Sequence, residues 1–197
     1  MIMDLVEETT QVEMKRRRFT VADFLRLAEI GFLADDERVE LIRGEIIEMS
    51  PISEGHASTV MRLVSLLSRM FGQRALLNVQ NPVQLDDATL PQPDVVLLRP
   101  RDDFYGQRHP GPEDTLLLIE VSDTTLTYDR RVKTALYSAA GVMEYWIINL
   151  QKRQIEVYRE PQSEGYRTMT RYAPGETLSP LAFPEVQLDI TEILGTN

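Results

Sequence analysis

Val21, Phe24, Leu25 and Ala28 recur at helical spacing behind Thr20, a residue whose hydroxyl can cap a helix N-terminus. Gly31 is placed to end that helix. The period then changes. Arg38 to Ile42 and Glu45 to Met49 each carry apolar positions around the pair Arg43-Gly44, which predicts an N-terminal β-hairpin. Ser53 opens a second helix, with Glu54 in its first turn and Gly72 past its end. His56, Val60, Leu63, Val64, Leu67 and Phe71 share one face of it.

Short strands are expected at 75–79 and 82–85, with Asp86-Asp87 as turn residues. Pro93 to Leu98 reads as a further strand, and 99–114, rich in Pro, Gly and charge, reads as a surface loop. Leu116 to Val121 is a near-continuous apolar run, the signature of a central strand buried on both faces. A helix is predicted over Asp129 to Ala140, then a second buried strand over Glu144 to Asn149. That order implies a crossover joining parallel strands. Ile155–Arg159 and Tyr166–Tyr172 flank Ser163-Glu164-Gly165 as a C-terminal β-hairpin, and 186–194 packs or frays. The expectation is an α/β fold, a mixed central β-sheet flanked by helices. With no repeat or linker in view, it forms a single domain over 18–195 behind a flexible leader at 1–17.

Composition narrows the chemistry. The 197 residues contain no cysteine, which excludes disulfides, thiolate zinc sites and cysteine nucleophiles, and fits a reducing, cytoplasmic setting. Two histidines, His56 and His109, are too few for a multi-histidine metal site. A metal here must rest on carboxylates, which favours Mg2+ or Mn2+. No apolar run approaches the roughly 20 residues of a membrane span. The net charge of −10 argues against tight non-specific DNA binding as the main task. It leaves room for a local basic patch on an otherwise acidic nuclease.

Two acids stand where apolar residues would suffice. Glu120 lies in the most apolar strand, and Asp94 opens another directly after Pro93. A buried carboxylate must be paired, protonated or metal-bound. If the strands are neighbours, the two converge, and a divalent cation would relieve their repulsion; the alternative is that each faces water at a strand end. Asp129 and Lys133 share a helix face, either as a plain i, i+4 ion pair or with the ammonium turned to the acids. Val132, Leu136 and Ala140 are expected to form the opposite, core-facing stripe. Glu40 alternates with Val39 and Leu41, so it is either a solvated outer residue or a third acid. His56, on the apolar face of its helix, is either a core residue or a proton-transfer group. Lys15-Arg16-Arg17-Arg18 is a basic run near the terminus. Arg130 and Arg131, with Lys133, form a second beside the acids, suited to nucleic acid.

These segments, taken in order, resemble the Uma2 family. The resemblance is carried by Glu-Leu-Ile-Arg-Gly-Glu-Ile-Ile-Glu-Met at 40–49, His56, Pro93-Asp94-Val95-Val96, Glu120-Val121-Ser122, Tyr128-Asp129-Arg130-Arg131-x-Lys133, and Tyr137-x-x-x-Gly141-Val142-x-Glu144-Tyr145-Trp146-Ile147. It covers residues 18–195. It implies a restriction endonuclease-like core of the PD-(D/E)xK superfamily and a metal-dependent endonuclease acting on DNA. Mg2+ or Mn2+ would be held by Asp94, Glu120 and the Val121 carbonyl. Glu40 matches an upstream acid of the site, while His56 and Asp129 are auxiliary. The superfamily pattern expects a lysine two residues after the second acid. This chain has Ser122 there, and Lys133, from the following helix, would supply the ammonium. The superfamily also implies a homodimer. Two other readings stay open: a non-catalytic module binding nucleic acid or protein, and a hydrolase of a small phosphoester.

Overall fold

The computed structural model describes residues 16–34 and 36–196. The leader expected at 1–17 lies outside them as far as Lys15; Arg16 and Arg17 are exposed and irregular. Helix α1 (Val21–Glu29) starts in a capping box. The Thr20 hydroxyl accepts the Asp23 amide at 3.1 Å, and the Asp23 carboxylate accepts the Thr20 amide at 3.0 Å. Its buried stripe runs through Val21 and Phe24 to the partly buried Leu27. Leu25 and Ala28 face solvent, because the helix covers only a small cluster around Leu41 and Leu90.

Strands β1 (Val39–Ile42) and β2 (Glu45–Glu48) form the expected N-terminal hairpin as a separate two-stranded sheet. Its two-residue turn has φ 51° at Arg43 and 78° at Gly44. A Cβ at Gly44 would sit 2.5 Å from Arg18 Cβ and 2.9 Å from the Phe19 carbonyl, so a side chain there is excluded twice over.

The central sheet has six strands in the order β3-β4-β5-β6-β7-β8: β3 (Leu76–Val79), β4 (Val95–Leu98), β5 (Thr115–Ser122), β6 (Glu144–Asn149), β7 (Gln154–Gln162) and β8 (Gly165–Tyr172). Only β5 and β6 pair in parallel, across a helical connection; the other neighbours are antiparallel. The C-terminal hairpin β7–β8 is thus the far edge of the main sheet. The strand expected at 82–85 does not form. Pro82 has no N–H, and the amides of Val83, Gln84 and Leu85 go singly to Pro91, Pro110 and Thr89.

Alternation divides the sheet cleanly. Val95, Leu97, Leu117, Ile119, Val121, Trp146 and Ile148 face α2 (Glu54–Phe71) and the C-terminal segment, where β9 (Thr177–Leu178) and β10 (Leu188–Asp189) lead into α5 (Ile190–Leu194). The last segment therefore packs. Val96, Leu98, Leu118, Tyr145 and Ile147 face the crossover. That connection is one helical stretch of three parts: α3 (Leu126–Tyr128), a π-turn (Asp129–Lys133) and α4 (Thr134–Ala139). No helix among the described residues is long and apolar enough to cross a membrane.

Trp146 is fully buried, and its indole N–H donates to Glu144, also fully buried, at 2.9 Å. Arg159 and the Leu181 amide complete the carboxylate's partners. Trp146→Ala should cost about 3–5 kcal/mol. Urea denaturation followed by far-UV circular dichroism measures it; a loss under about 1 kcal/mol would contradict close packing at this position.

Candidate functional site

The β4–β5 register pairs Val95 with Ile119, and one residue further sets Asp94 opposite Glu120. Alternation turns both toward the crossover. The strands are braced through these side chains. The Asp94 amide donates to Glu120 Oε2 at 3.3 Å, and the Val121 amide donates to Asp94 Oδ2 at 2.8 Å. His56 reaches over the strand ends from the first turns of α2, its Nε2 lying 3.0 Å from Asp94 Oδ2. Ser53 fixes that helix start by accepting the His56 amide. Gln80 donates from Nε2 to Asp94 Oδ1 at 3.2 Å. Its backbone is left-handed at φ 50°, and its amide donates to the Asp94 carbonyl. Gln80 was not found from sequence; a lone glutamine after a short strand carries no periodic signal.

Lys133 is 4% exposed, and of the expected core stripe of Val132, Leu136 and Ala140 only Leu136 is buried, the other two being half-buried. The buried arc runs instead through Lys133, Thr134, Leu136 and Tyr137, and Glu40 of the hairpin meets it at Lys133. The π-turn, a local widening often found at functional sites, ends at Lys133. Lys133 Nζ donates to Glu40 at 2.6 Å and to Glu120 Oε1 at 3.0 Å. Glu40 is therefore neither solvated nor on the main sheet. It reaches the site from the hairpin, 2% exposed, and also accepts the Gln92 amide. Tyr137 donates its hydroxyl to Glu120 at 2.7 Å.

Lys133 makes no ion pair with Asp129. That carboxylate instead accepts Ser122 at 2.6 Å and Thr125 at 2.7 Å. Ser122 thus orients a neighbouring acid, and the ammonium beside Glu120 comes from Lys133. Arg130 turns away: its guanidinium is bound to the buried Glu156, with Nε at 2.8 Å. It is not free for phosphate as the sequence suggested, whereas Arg131 is exposed. In the N-terminal basic run, Arg18 pairs with Glu45.

Burial opposes ionisation of Asp94, but the bonds from His56, Val121 and Gln80 outweigh it and hold the carboxyl below its usual range. Glu120 is the reverse. Burial, only partly offset by Lys133 and reinforced by Asp94, Asp129 and Glu40, pushes it up to about 8. Lys133 resists its own burial because Glu120 and Glu40 hold it as an ammonium. Lys133 pairs with both Glu40 and Glu120.

These residues line a cleft of about 340 Å³ between the hairpin and the crossover. Among the described residues, no three His, Cys, Asp or Glu side chains are already grouped to hold a metal. Asp94 and Glu120 spend their oxygens on protein donors. The donor set nevertheless suits a hard cation. The Ser122 carbonyl accepts from Leu150 on the β6 side, so strand alternation turns the Val121 carbonyl toward the end of β4. The residue opposite, by the register, is Pro93, which has no N–H to offer it. Two carboxylates and an adjacent backbone carbonyl are oxygen donors of the kind Mg2+ and Mn2+ take.

Ionising Glu120 is costlier folded than unfolded, so its stabilising contribution is full below its ordinary 4.5 and is lost as pH rises toward about 8. Glu120→Gln cannot ionise and should flatten that part of the stability profile. Urea titrations in EDTA at about pH 5.5 and about pH 8 measure it, and equal slopes for wild type and variant would contradict the shift.

Residues 21–191 match the model of the Uma2 family, described as "Putative restriction endonuclease". A crystal structure described as a putative nuclease belonging to DUF820, from Anabaena variabilis ATCC 29413, superposes with a TM-score of 0.66 at 18% identity. The match covers 89% of this chain and 97% of that one. No curated protein matches. The six-stranded mixed sheet and its flanking helices are therefore a nuclease fold, and the chain belongs to the Uma2 family.

Proposed function

We propose that this protein is a metal-dependent endonuclease that hydrolyses DNA phosphodiester bonds, with Mg2+ or Mn2+ as its cation. The convergence of Asp94, Glu120 and Lys133 in one cleft carries the reading. A cation held by Asp94, Glu120 and the Val121 carbonyl would supply polarisation of the scissile phosphate and a water of lowered pKa. Lys133 offsets charge developing on the phosphate or holds the attacking water, with Glu40 setting its position. His56 and Gln80 orient Asp94, and Tyr137 orients Glu120. Asp129, fixed by Ser122 and Thr125, adds negative charge beside the pair. The exposed Arg131 is a phosphate contact on the outer face of the crossover. A two-fold homodimer, one site per DNA strand, completes the proposal.

Charge supports the need for a cation. Glu40, Glu48, Asp94, Glu120, Asp123 and Asp129 all line the cleft, against Arg38, Lys133 and His56. A phosphodiester entering unaided would meet net repulsion. The small volume of the cleft favours one other reading, hydrolysis of a small phosphoester by the same residues.

Incubation with supercoiled plasmid and single-stranded DNA should give cleavage with Mg2+ or Mn2+ and none in EDTA. Asp94→Asn and Lys133→Ala, checked for folding by circular dichroism, should each slow it at least about a hundredfold. Unchanged cleavage by Asp94→Asn would sink the mechanism. An inert wild type on every DNA substrate would leave a binding module or, if p-nitrophenyl phosphoesters turn over, the small-substrate reading.

A further inference from the structure

Tyr128 lines the cleft, and its buried hydroxyl has no hydrogen-bond partner among the described residues. An unpaired buried hydroxyl is a standing cost, and a group that completes it belongs to whatever the cleft receives. Burial, and after it the negative charge of Glu40, push the phenol up to about 12, so it remains a donor at every working pH. It therefore waits for an acceptor. The other unpaired atom here, His56 Nδ1, belongs to the ring already engaged with Asp94 and needs no ligand to explain its placement.

Arg38, at the foot of the hairpin, lines the same cleft. It gives one N–H to the Ser50 carbonyl at 3.0 Å and, among the described residues, makes no ion pair. A guanidinium has five N–H donors, so most of its capacity is uncommitted. Lys133, by contrast, is engaged by two carboxylates. The cleft thus presents one neutral donor from the helix side and one unneutralised cation from the hairpin side. The group that satisfies both is an oxyanion with several acceptor oxygens, which is what a backbone phosphate offers.

We propose that Tyr128 and Arg38 are phosphate-binding residues that hold the nucleic-acid backbone in the cleft, a role that rests on the proposed phosphodiester substrate and is separate from hydrolysis. The probe is a fluorescein-labelled single-stranded 15-mer, with anisotropy read in Ca2+ and the oligonucleotide checked on a gel for intactness. Tyr128→Phe should bind about tenfold more weakly, the order of one hydrogen bond to a charged group. Its thermal stability should be unchanged or higher, because an unpaired buried hydroxyl is removed, whereas a merely structural tyrosine would lose stability. Arg38→Gln should weaken binding and lower the slope of log affinity against log salt by roughly 0.7, the value for one phosphate contact on a single strand. Tyr128→Phe should keep the wild-type slope. Wild-type affinity in Tyr128→Phe, an unchanged salt slope in Arg38→Gln, or no binding by the wild type would each overturn the pair. Firm binding without cleavage in Mn2+ would count against the proposed hydrolysis and leave the pair standing.

Discussion

Everything at this site depends on how Asp94 and Glu120 tolerate facing each other. The antiparallel register, continued one residue past Val95 and Ile119, sets them across from one another where β4 begins and β5 ends. Two ionised carboxylates so placed would repel strongly in a low-dielectric interior. The protein resolves this asymmetrically. Asp94 is given donors from His56, Gln80 and the Val121 amide and stays ionised. Glu120 is given a shared lysine and a tyrosine and is pushed toward the neutral acid. Neighbouring carboxylates whose environments drive them apart are a recurrent mark of functional sites.

The same lysine also organises the fold. The N-terminal hairpin shares no sheet with the core; it is tied there by the bridge between Leu41 and Leu90 and by Glu40 on Lys133. Lys133 is in turn displayed by a π-turn, which costs helical regularity and is offset by the buried contacts it permits. Removing either partner of a buried ion pair leaves the other uncompensated, so hairpin, crossover and strand ends are coupled through this one ammonium. The cleft lies between exactly those elements, which ties its shape to the ion pair.

Much of this was legible in the sequence because it is written in periodicity. The apolar runs at 95–98, 116–121 and 144–149 could only be buried strands, and the strand–helix–strand order gave the one parallel pair. Glu120 and Asp94 stood out as carboxylates where burial has no use for charge. What periodicity could not supply was direction across long sequence separations. Glu40 and Lys133 meet over 93 residues, and local alternation says only that Glu40 opposes Val39 and Leu41. For Lys133 periodicity left two directions open, an i, i+4 pair with Asp129 or the acids of the strands, and only the fold chooses the second. Gln80 gave no signal, and Tyr137 gave none beyond its place in the family pattern, since each is ordinary in its own element and acquires meaning only from the acid it touches. Arg130 misled because a basic cluster says nothing about a buried glutamate on a later strand.

The displaced lysine follows from the same constraint. On β5, position 122 faces the crossover and is fully buried, 2.6 Å from Asp129. A lysine there would have to fit its long stem beneath the π-turn, whereas serine fits and satisfies Asp129. A lysine on the crossover approaches Glu120 from above, with its stem along the helix and its head between two carboxylates. The ammonium is defined by where its nitrogen arrives, so a strand residue and a helix residue are chemically equivalent donors. The difference is mechanical. A strand lysine is fixed by the sheet alone, while Lys133 is held at once by Glu40 of the hairpin and Glu120 of the sheet, so its position reports on three elements rather than one.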